Sequence, residues 1–313
     1  MRAIAIEEFG GRDKLHLTRV EAPKPGEGEV LVRIKATSVN PVDYKLREGF
    51  LKGRLPHQFP IILGWDMAGI IEGRGHSSRR FDQGEEVWAY ARRPLVQNGT
   101  YAEYISLPES YLARKPKELS FEEAASMPLT GLTAYQSLFI AGQLKAGQTA
   151  LLIGASGGVG TMAVQLAKIK GAKVIAVSSG KNKDFVLNQL QADDFIDYKK
   201  EKPGKVIDEQ VDLVFDMAGG VQLQETHKLV KPGGTIVSIA GKFEDIALLK
   251  QEKKTFHYVF VEPHSRRLDE LNELLGDGKL QPYVQQVFSL EEMKKAHKLI
   301  ESGHTTGKIA VSI

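Results

Sequence analysis

The stretch Ala150-Leu-Leu-Ile-Gly-Ala-Ser-Gly-Gly-Val-Gly160 decides the reading of this chain. A short apolar run leads into glycines at 154, 157, 158 and 160, and an apolar helical pattern follows through Met162, Val164, Leu166, Ala167 and Ile169. A buried strand running through a tight turn into a helix N-terminus makes an anion seat, because unpaired N–H groups and the helix dipole converge there. Gly154 takes the turn. Gly157 and Gly158, set among Ser156 and Val159, let a pyrophosphate approach the backbone, and Gly160 allows close packing of helix on strand. Glycine spacing alone is a weak signal, and a βα turn without a ligand is the alternative. The strand before it and the helix after it supply the context that a dinucleotide site needs.

Around this stretch strands and helices alternate. Strands read at 149–153, 172–178, 194–198, 211–216, 234–239 and 256–261, with helices at 160–170, 182–190 and 222–230. Such alternation predicts an α/β fold with a doubly wound parallel sheet and right-handed crossovers. Residues 1 to about 117 look different: short strands, many Gly and Pro, no long helix. Val30-Leu-Val-Arg-Ile-Lys35 alternates apolar and polar like a half-solvated antiparallel strand, and Gly84–Tyr90 and Tyr101–Ile105 read as further strands. Ser120 stands three residues before Glu123, a capping-box spacing that opens a helical segment running through Leu132 to Gly142. Helices are expected at 264–275 and 290–302, and the last strand, Lys308-Ile-Ala-Val-Ser-Ile313, is expected to return to the first domain. The domains are therefore drawn as 1–120 completed by 278–313, and 121–277. His257-Tyr-Val-Phe-Val-Glu262 is strongly β-prone and, as the last strand of its sheet, lies at an edge that invites a second copy of the chain. A homodimer is expected there.

Composition narrows the function classes. At 313 residues and 42% hydrophobic, the chain fills two domains with ample cores. No apolar run of about 18 residues is present, so no membrane span is expected. The opening Met1-Arg-Ala-Ile-Ala-Ile reads as a strand rather than a secretory signal. Cysteine is absent, which excludes disulfides, thiolate nucleophiles and Cys-ligated zinc and makes the cytoplasm the simplest location. A net charge of +3 is too small to argue for nucleic acid.

The strand after the glycine turn discriminates between dinucleotides. An NAD site carries an acid at the tip of that strand, bonding the ribose hydroxyls. Here Ala172–Val177 ends in Ser178-Ser179-Gly180-Lys181-Asn182-Lys183, and the nearby Asp184 falls inside the next helix. Ser178, Ser179, Lys181 and Lys183 suit a 2′-phosphate instead, which favours NADPH. Simple solvation of the two lysines is the competing reading.

Taken together, Ser38-Val-Asn-Pro-Val-Asp-Tyr44, Gly64-Trp-Asp-Met-Ala-Gly69, Gly99-Thr-Tyr-Ala-Glu-Tyr104, Pro128-Leu-Thr-Gly-Leu-Thr-Ala-Tyr135, Asp216-Met-Ala-Gly-Gly220, Lys231-Pro-Gly-Gly234, Gly303–Lys308 and the glycine turn resemble the medium-chain dehydrogenase/reductase superfamily. Within it, the chain is similar to the zinc-independent, zeta-crystallin-like quinone oxidoreductases, nearly end to end. The resemblance implies a GroES-like domain formed by both termini and a Rossmann domain between them. It implies that Lys181 and Tyr198 hold the 2′-phosphate, and that Asn40, Thr130, Ala218, Gly219, Ala240 and Gly241 lie near the nicotinamide.

Zinc-dependent relatives carry a cysteine near the Asn40 region and Gly-His-Glu near 64–66, where this chain has Gly64-Trp65-Asp66. His57, Asp66 and His76 are the nameable ligands, but no spacing selects them, and no metal is expected. Hydride transfer without a Lewis acid suits an acceptor that delocalises charge, a quinone or a conjugated carbonyl. Asn40, Asp43, Tyr44 and Tyr101 are the candidates to act on it, Tyr44 or solvent giving the proton. Phe50, Phe59 and Trp65 either line an apolar slot or belong to the core. The alternatives are an enoyl or 2-alkenal reductase of the same superfamily and a non-enzymatic NADPH-binding protein.

Overall fold

The computed structural model describes residues 1–313, the side chains of Val221 and Gln222 excepted. Its strands, in order, are β1 Arg2–Ile6, β2 His16–Arg19, β3 Glu29–Val39, β4 His57–Ile62, β5 Asp66–Arg74, β6 Glu86–Tyr90, β7 Val96–Asn98, β8 Tyr104–Pro108 and β9 Leu112–Arg114. Then come β10 Thr149–Ile153, β11 Lys173–Ser178, β12 Asp194–Asp197, β13 Val211–Asp216, β14 Val230–Ser238, β15 Thr255–Tyr258, β16 Val284–Ser289 and β17 Lys308–Ser312. The chain divides into two compact units, residues 1–132 with 262–278 and 282–313, and residues 133–261 with 279–281.

The first unit is built on β3. Its first half alternates as the sequence predicts: Val30, Val32 and Ile34 are buried while Leu31 and Arg33 are half-exposed. Those inward residues meet Met67, Ile71, Val87, Ile105 and Leu107 in one core. The order β16-β17-β3-β5-β6-β9 puts the C-terminal strand antiparallel against the end of β3, Ile309 opposite Val39, while β5 flanks the other side with Asp66 opposite Ser38. The chain's last strand thus returns to the first unit, as expected. The strand expected at 101–105 begins at Tyr104 instead, because Tyr101 and Glu103 turn aside to bond Ile4 and Arg2 of β1.

The second unit is a six-stranded, wholly parallel sheet of order β12-β11-β10-β13-β14-β15. By position within the unit that order is 3-2-1-4-5-6, the doubly wound Rossmann arrangement, and it reverses between β10 and β13. Its central strands are apolar runs buried on both faces, as Ala150–Ile153 and Leu213–Phe215 show. The helix after the glycine turn spans Gly158–Ile169 and buries Gly160 through Ala167. Gln165 on it exchanges hydrogen bonds with the Gln281 backbone, accepting at 2.9 Å and donating at 3.1 Å.

Three expectations differ in detail. The helix expected at 182–190 is present but irregularly wound, a 3-10 turn at Gly180–Asn182 running on into a π-helical stretch at Phe185–Gln189. The strand expected to reach 261 ends at Tyr258. Residues 121–132 and 262–277, drawn with the second domain, pack with the first unit. There Arg80 bonds Asp269, Asn272 bonds the Arg114 carbonyl, and Leu271 lies against Gly131. Among the described residues no helix is long and apolar enough to cross a membrane.

Candidate active site

The carboxyl ends of the second unit's strands gather the residues read from the sequence as dinucleotide contacts, except Asn40 and Thr130, which lie in the first unit. Gly154 leaves β10 with φ of 93°, a left-handed turn suited to glycine, and lies against Met217 at the end of β13. Gly157 caps the Gly158–Ile169 helix in extended conformation, and no side chain caps that helix end. A methyl on Gly157 would meet only Gly154 O, at 3.5 Å, so the space over it is open. A methyl on Gly160 would come within 2.3 Å of Gly154 O and 2.6 Å of the Ala155 backbone. Gly157 therefore opens the seat and Gly160 lets the helix close on the turn. Gly158 and Val159, in the first turn, are half-exposed.

Two side chains organise the neighbouring rim. Buried Asp216 accepts from the N–H groups of Ala218 and Gly219 at 3.0–3.2 Å and from Ser238 Oγ at 3.0 Å. Ser238 Oγ in turn accepts from the N–H groups of Ala240 and Gly241 at 3.2 and 3.1 Å. One hydrogen-bond relay thus folds both strand-end loops over the sheet. Gly219 is brought so close to Ala240 that a methyl on it would lie 3.1 Å from the Ala240 Cβ. Asp216 opens the Asp216–Gly220 motif, but its bracing role needed the Ser238 pairing across β13 and β14 to be seen.

At the tip of β11 the residues divide. Ser178 and Ser156 are buried and bond each other at 2.7 Å, while Asn182 donates to Ser156 Oγ at 2.8 Å. These hydroxyls tie the glycine turn to the β11 tip, and Asn182 escaped the sequence reading. Ser179 is also buried, whereas Lys181 and Tyr198 are exposed beside it in sequence and register.

The first unit holds a second cluster, wholly buried. Asn40 Nδ2 donates to Asp66 Oδ2 at 2.8 Å, and Lys308 Nζ donates to Asn40 Oδ1 at 2.6 Å and to Val39 O at 3.1 Å. Ser38 Oγ and the Leu129 N–H also donate to the Asp66 carboxylate, at 2.9 and 2.6 Å. Lys308 lies 3.6 Å from Asp66 Oδ2, and burial pulls its ammonium pKa down while Asp66 and Asp43 pull it up. Both amide ends of Asn40 are thereby fixed, its oxygen by a cation and its nitrogen by an acid. Burying that cation and acid costs several kcal/mol each unless they are paired and bonded, so the cluster stands only as a complete set (~3–5 kcal/mol for breaking it).

Asp43 lies on the helix Pro41–Arg47 that Asn40 opens. Its Oδ2 accepts from the Asn40 N–H at 2.7 Å and from Tyr101 Oη at 2.9 Å, and burial pushes its carboxyl up to about 7. Tyr44, half-buried on the same helix, is held above the usual phenol range by burial and then by Glu48 and Glu301. Thr130 turns its hydroxyl onto the backbone just before its helix Pro128–Tyr135, donating to Ser126 O and Met127 O at 3.2 Å. Trp65 is core, Phe59 packs on Phe9 and His57, and Phe50 is exposed.

The same cluster bears on zinc. His57 packs tilted against Phe9, His76 bonds Ser77 on the surface, and Asp66 is committed to Asn40, Ser38 and Leu129. Among the described residues no three His, Cys, Asp or Glu side chains gather to hold a metal. The cation beside Asp66 and Asn40 is the Lys308 ammonium, and this donor set does not fit a catalytic zinc, which needs three protein ligands.

Residues 26–117 match the family described as alcohol dehydrogenase GroES-like domain, and residues 190–311 the one described as zinc-binding dehydrogenase. Over 99% of its length the chain is 34% identical to 79% of the 2-methylene-furan-3-one reductase of Solanum lycopersicum. The quinone oxidoreductase from Coxiella burnetii is similar in structure with a TM-score of 0.92 and 33% identity, covering 100% of this chain and 99% of that one. The Escherichia coli quinone oxidoreductase complexed with NADPH follows at 0.91 and 25%, covering 100% of both chains. Fold, rim and relatives together define an NAD(P)H-dependent oxidoreductase. The chain belongs to the zinc-independent quinone oxidoreductase family of the medium-chain dehydrogenase/reductase superfamily.

Proposed function

We propose that this protein reduces quinones and α,β-unsaturated carbonyls, with NADPH preferred over NADH. The observation that carries the reading is the rim of the parallel sheet, where the open glycine turn meets the loops braced by Asp216 and Ser238. The amides of Gly157, Gly158, Val159 and Gly160 take the pyrophosphate, and Ser179, Lys181 and Tyr198 take the 2′-phosphate, with Ser178 and Ser156 holding the tip in place. Ala218, Gly219, Ala240 and Gly241 are small enough to let a nicotinamide lie against their backbone. Bound there, the cofactor supplies a hydride from nicotinamide C4.

The chain's own residues manage charge. Asn40, its oxygen on Lys308 and one N–H on Asp66, keeps its second N–H for the acceptor's carbonyl oxygen. A fixed donor aimed where negative charge develops needs no reorganisation during the reaction. Lys308 lends that donor a positive field, and Asp43 holds Tyr101 and the Asn40 backbone in position. Tyr44, protonated at neutral pH, returns a proton to the reduced product. Quinones and enones share the conjugated carbonyl this arrangement suits, and the named function of the tomato relative favours including the enone.

NADPH oxidation should be followed with small quinones, enones and saturated ketones. Quinones and enones are expected to turn over at least ~100-fold faster than saturated ketones, a gap of about 2.7 kcal/mol in barrier. Cofactor binding without reduction of either would replace this reading with the non-enzymatic one. Lys181→Glu is expected to weaken NADPH about tenfold or more while leaving NADH little changed. We also infer a homodimer through the β15 edge, and a cytoplasmic location that fits a chain without cysteine; fractionation tests the latter.

A further inference from the structure

One acid at the tip of β11 has no part in the cofactor contacts proposed so far. Asp197 ends β12, opposite Ser178 at the end of β11. Its carboxylate lies over Gly180: a Cβ on that glycine would stand 2.3 Å from Asp197 Oδ2 and 3.1 Å from its Cγ. Gly180 has no positive φ, so what its missing side chain provides is room for the acid rather than backbone freedom. Oδ1 of the same carboxylate accepts from the Lys199 N–H at 3.1 Å, which fixes the group's direction and leaves Oδ2 as the oxygen on the Gly180 side. The carboxylate therefore stands at the tip that carries Ser179 and Lys181, next in sequence to Tyr198.

A carboxylate at that place and a 2′-phosphate make opposite demands. The acid accepts a hydrogen bond from a free ribose 2′-hydroxyl, the service an acidic residue performs in NAD sites, and it repels a phosphate dianion. Here the acid comes not from the second strand of the fold, where its absence favours NADPH, but from the third, reaching across to the second strand's tip over a glycine.

We propose that Asp197 is a specificity-determining residue that opposes Lys181, narrowing the preference for NADPH so that NADH also binds productively. This rests on the reading that a nicotinamide dinucleotide occupies the glycine turn. Affinities of the full chain for NADPH and NADH, measured by calorimetry or fluorescence quenching, test it. In Asp197→Asn the ratio of NADPH to NADH affinity is expected to rise about tenfold, through tighter NADPH and weaker NADH, as removal of one charge beside a dianion at a protein surface implies. Gly180→Ala pushes the carboxylate off its place without changing its charge, and is expected to move the ratio the same way. Both substitutions are at partly exposed positions, and thermal melting confirms that the variants fold. If the wild type binds both cofactors and the ratio in Asp197→Asn stays within about twofold, less than one charge should be worth, Asp197 has no such role. If the wild type binds neither cofactor, the dinucleotide reading falls, and this inference with it.

Discussion

Asp43 and His297, both buried in the first unit, pull the pH dependence of stability in opposite directions. One oxygen of Asp43 has two donors and the other has none, and burial raises its carboxyl from 3.8 to about 7. Folded protein then binds the extra proton between those values, so the contribution of Asp43 is complete below pH 3.8 and is lost as pH rises through about 7. His297 accepts a hydrogen bond from Arg47 Nη1 at 2.9 Å, and burial followed by the Arg47 and Arg12 charges lowers it from 6.5 to about 3. Its contribution is present above 6.5 and is lost as pH falls towards 3. Each effect is worth up to about 4 kcal/mol, so the two nearly cancel across the shared window. Asp43→Asn keeps the shape and both accepted hydrogen bonds but cannot ionise. Its stability relative to the wild type is expected to climb from pH 4 to pH 7.5, by on the order of 2 kcal/mol in urea unfolding. Parallel curves for the two proteins would mean that Asp43 stays charged throughout. Asp43 itself was legible: Asn, then Pro, then an acid three residues on is a local helix-start signal. Lys308 was not, because it meets Asn40 across 268 residues of sequence, through a strand pairing that no local pattern encodes.

Among elements, the strand, turn and helix at 149–169 were read almost to the residue, since a doubly buried strand is an apolar run and its turn needs glycine. The segment after β11 is helical as expected, but wound as a 3-10 turn followed by a π-helix rather than as a regular α-helix. There Asn182 spends its amide on Ser156 across the sheet tip, which ties the start of the helix to the glycine turn. The short helix Pro41–Arg47 was passed over within a region taken as β-rich, although its start signal was present. The glycine turn itself offers a paired test of its two kinds of glycine. Gly160→Ala drives a methyl into Gly154 O and the Ala155 backbone, and is expected to cost about 2–4 kcal/mol of stability as well as cofactor binding. Gly157→Ala meets nothing nearer than 3.5 Å, so it should fold with less than about 1 kcal/mol lost. Its methyl nonetheless fills the space proposed for the pyrophosphate, and NADPH affinity is expected to drop about tenfold or more. Melting curves and cofactor titration on both variants separate packing from ligand. Full NADPH affinity in Gly157→Ala would move the pyrophosphate elsewhere.

For the whole molecule, the sequence foretold two domains with the C-terminal strand returned to the first, but not the packing of helices 121–125 and 265–276 with that same unit. Their partners, seen only in the fold, decide where they belong. Assembly is the remaining question at this scale. Among the described residues β15 ends the parallel sheet with no further strand beyond it, and Tyr258 and Phe260 stand 43% and 40% exposed at its end. An edge strand with exposed aromatics and no proline within it is a template for pairing unless a second chain covers it. Two copies joined edge to edge through β15 would share a twofold axis and cover the aromatics of both. Sedimentation is therefore expected to give twice the chain mass of 34.5 kDa. Tyr258→Asp places a charge on the exposed face while leaving the pairing of β15 with β14 intact, so it should yield a folded monomer with cofactor affinity preserved. A wild-type chain that sediments at 34.5 kDa across micromolar concentrations would leave the edge bare, and the dimer with it would be set aside.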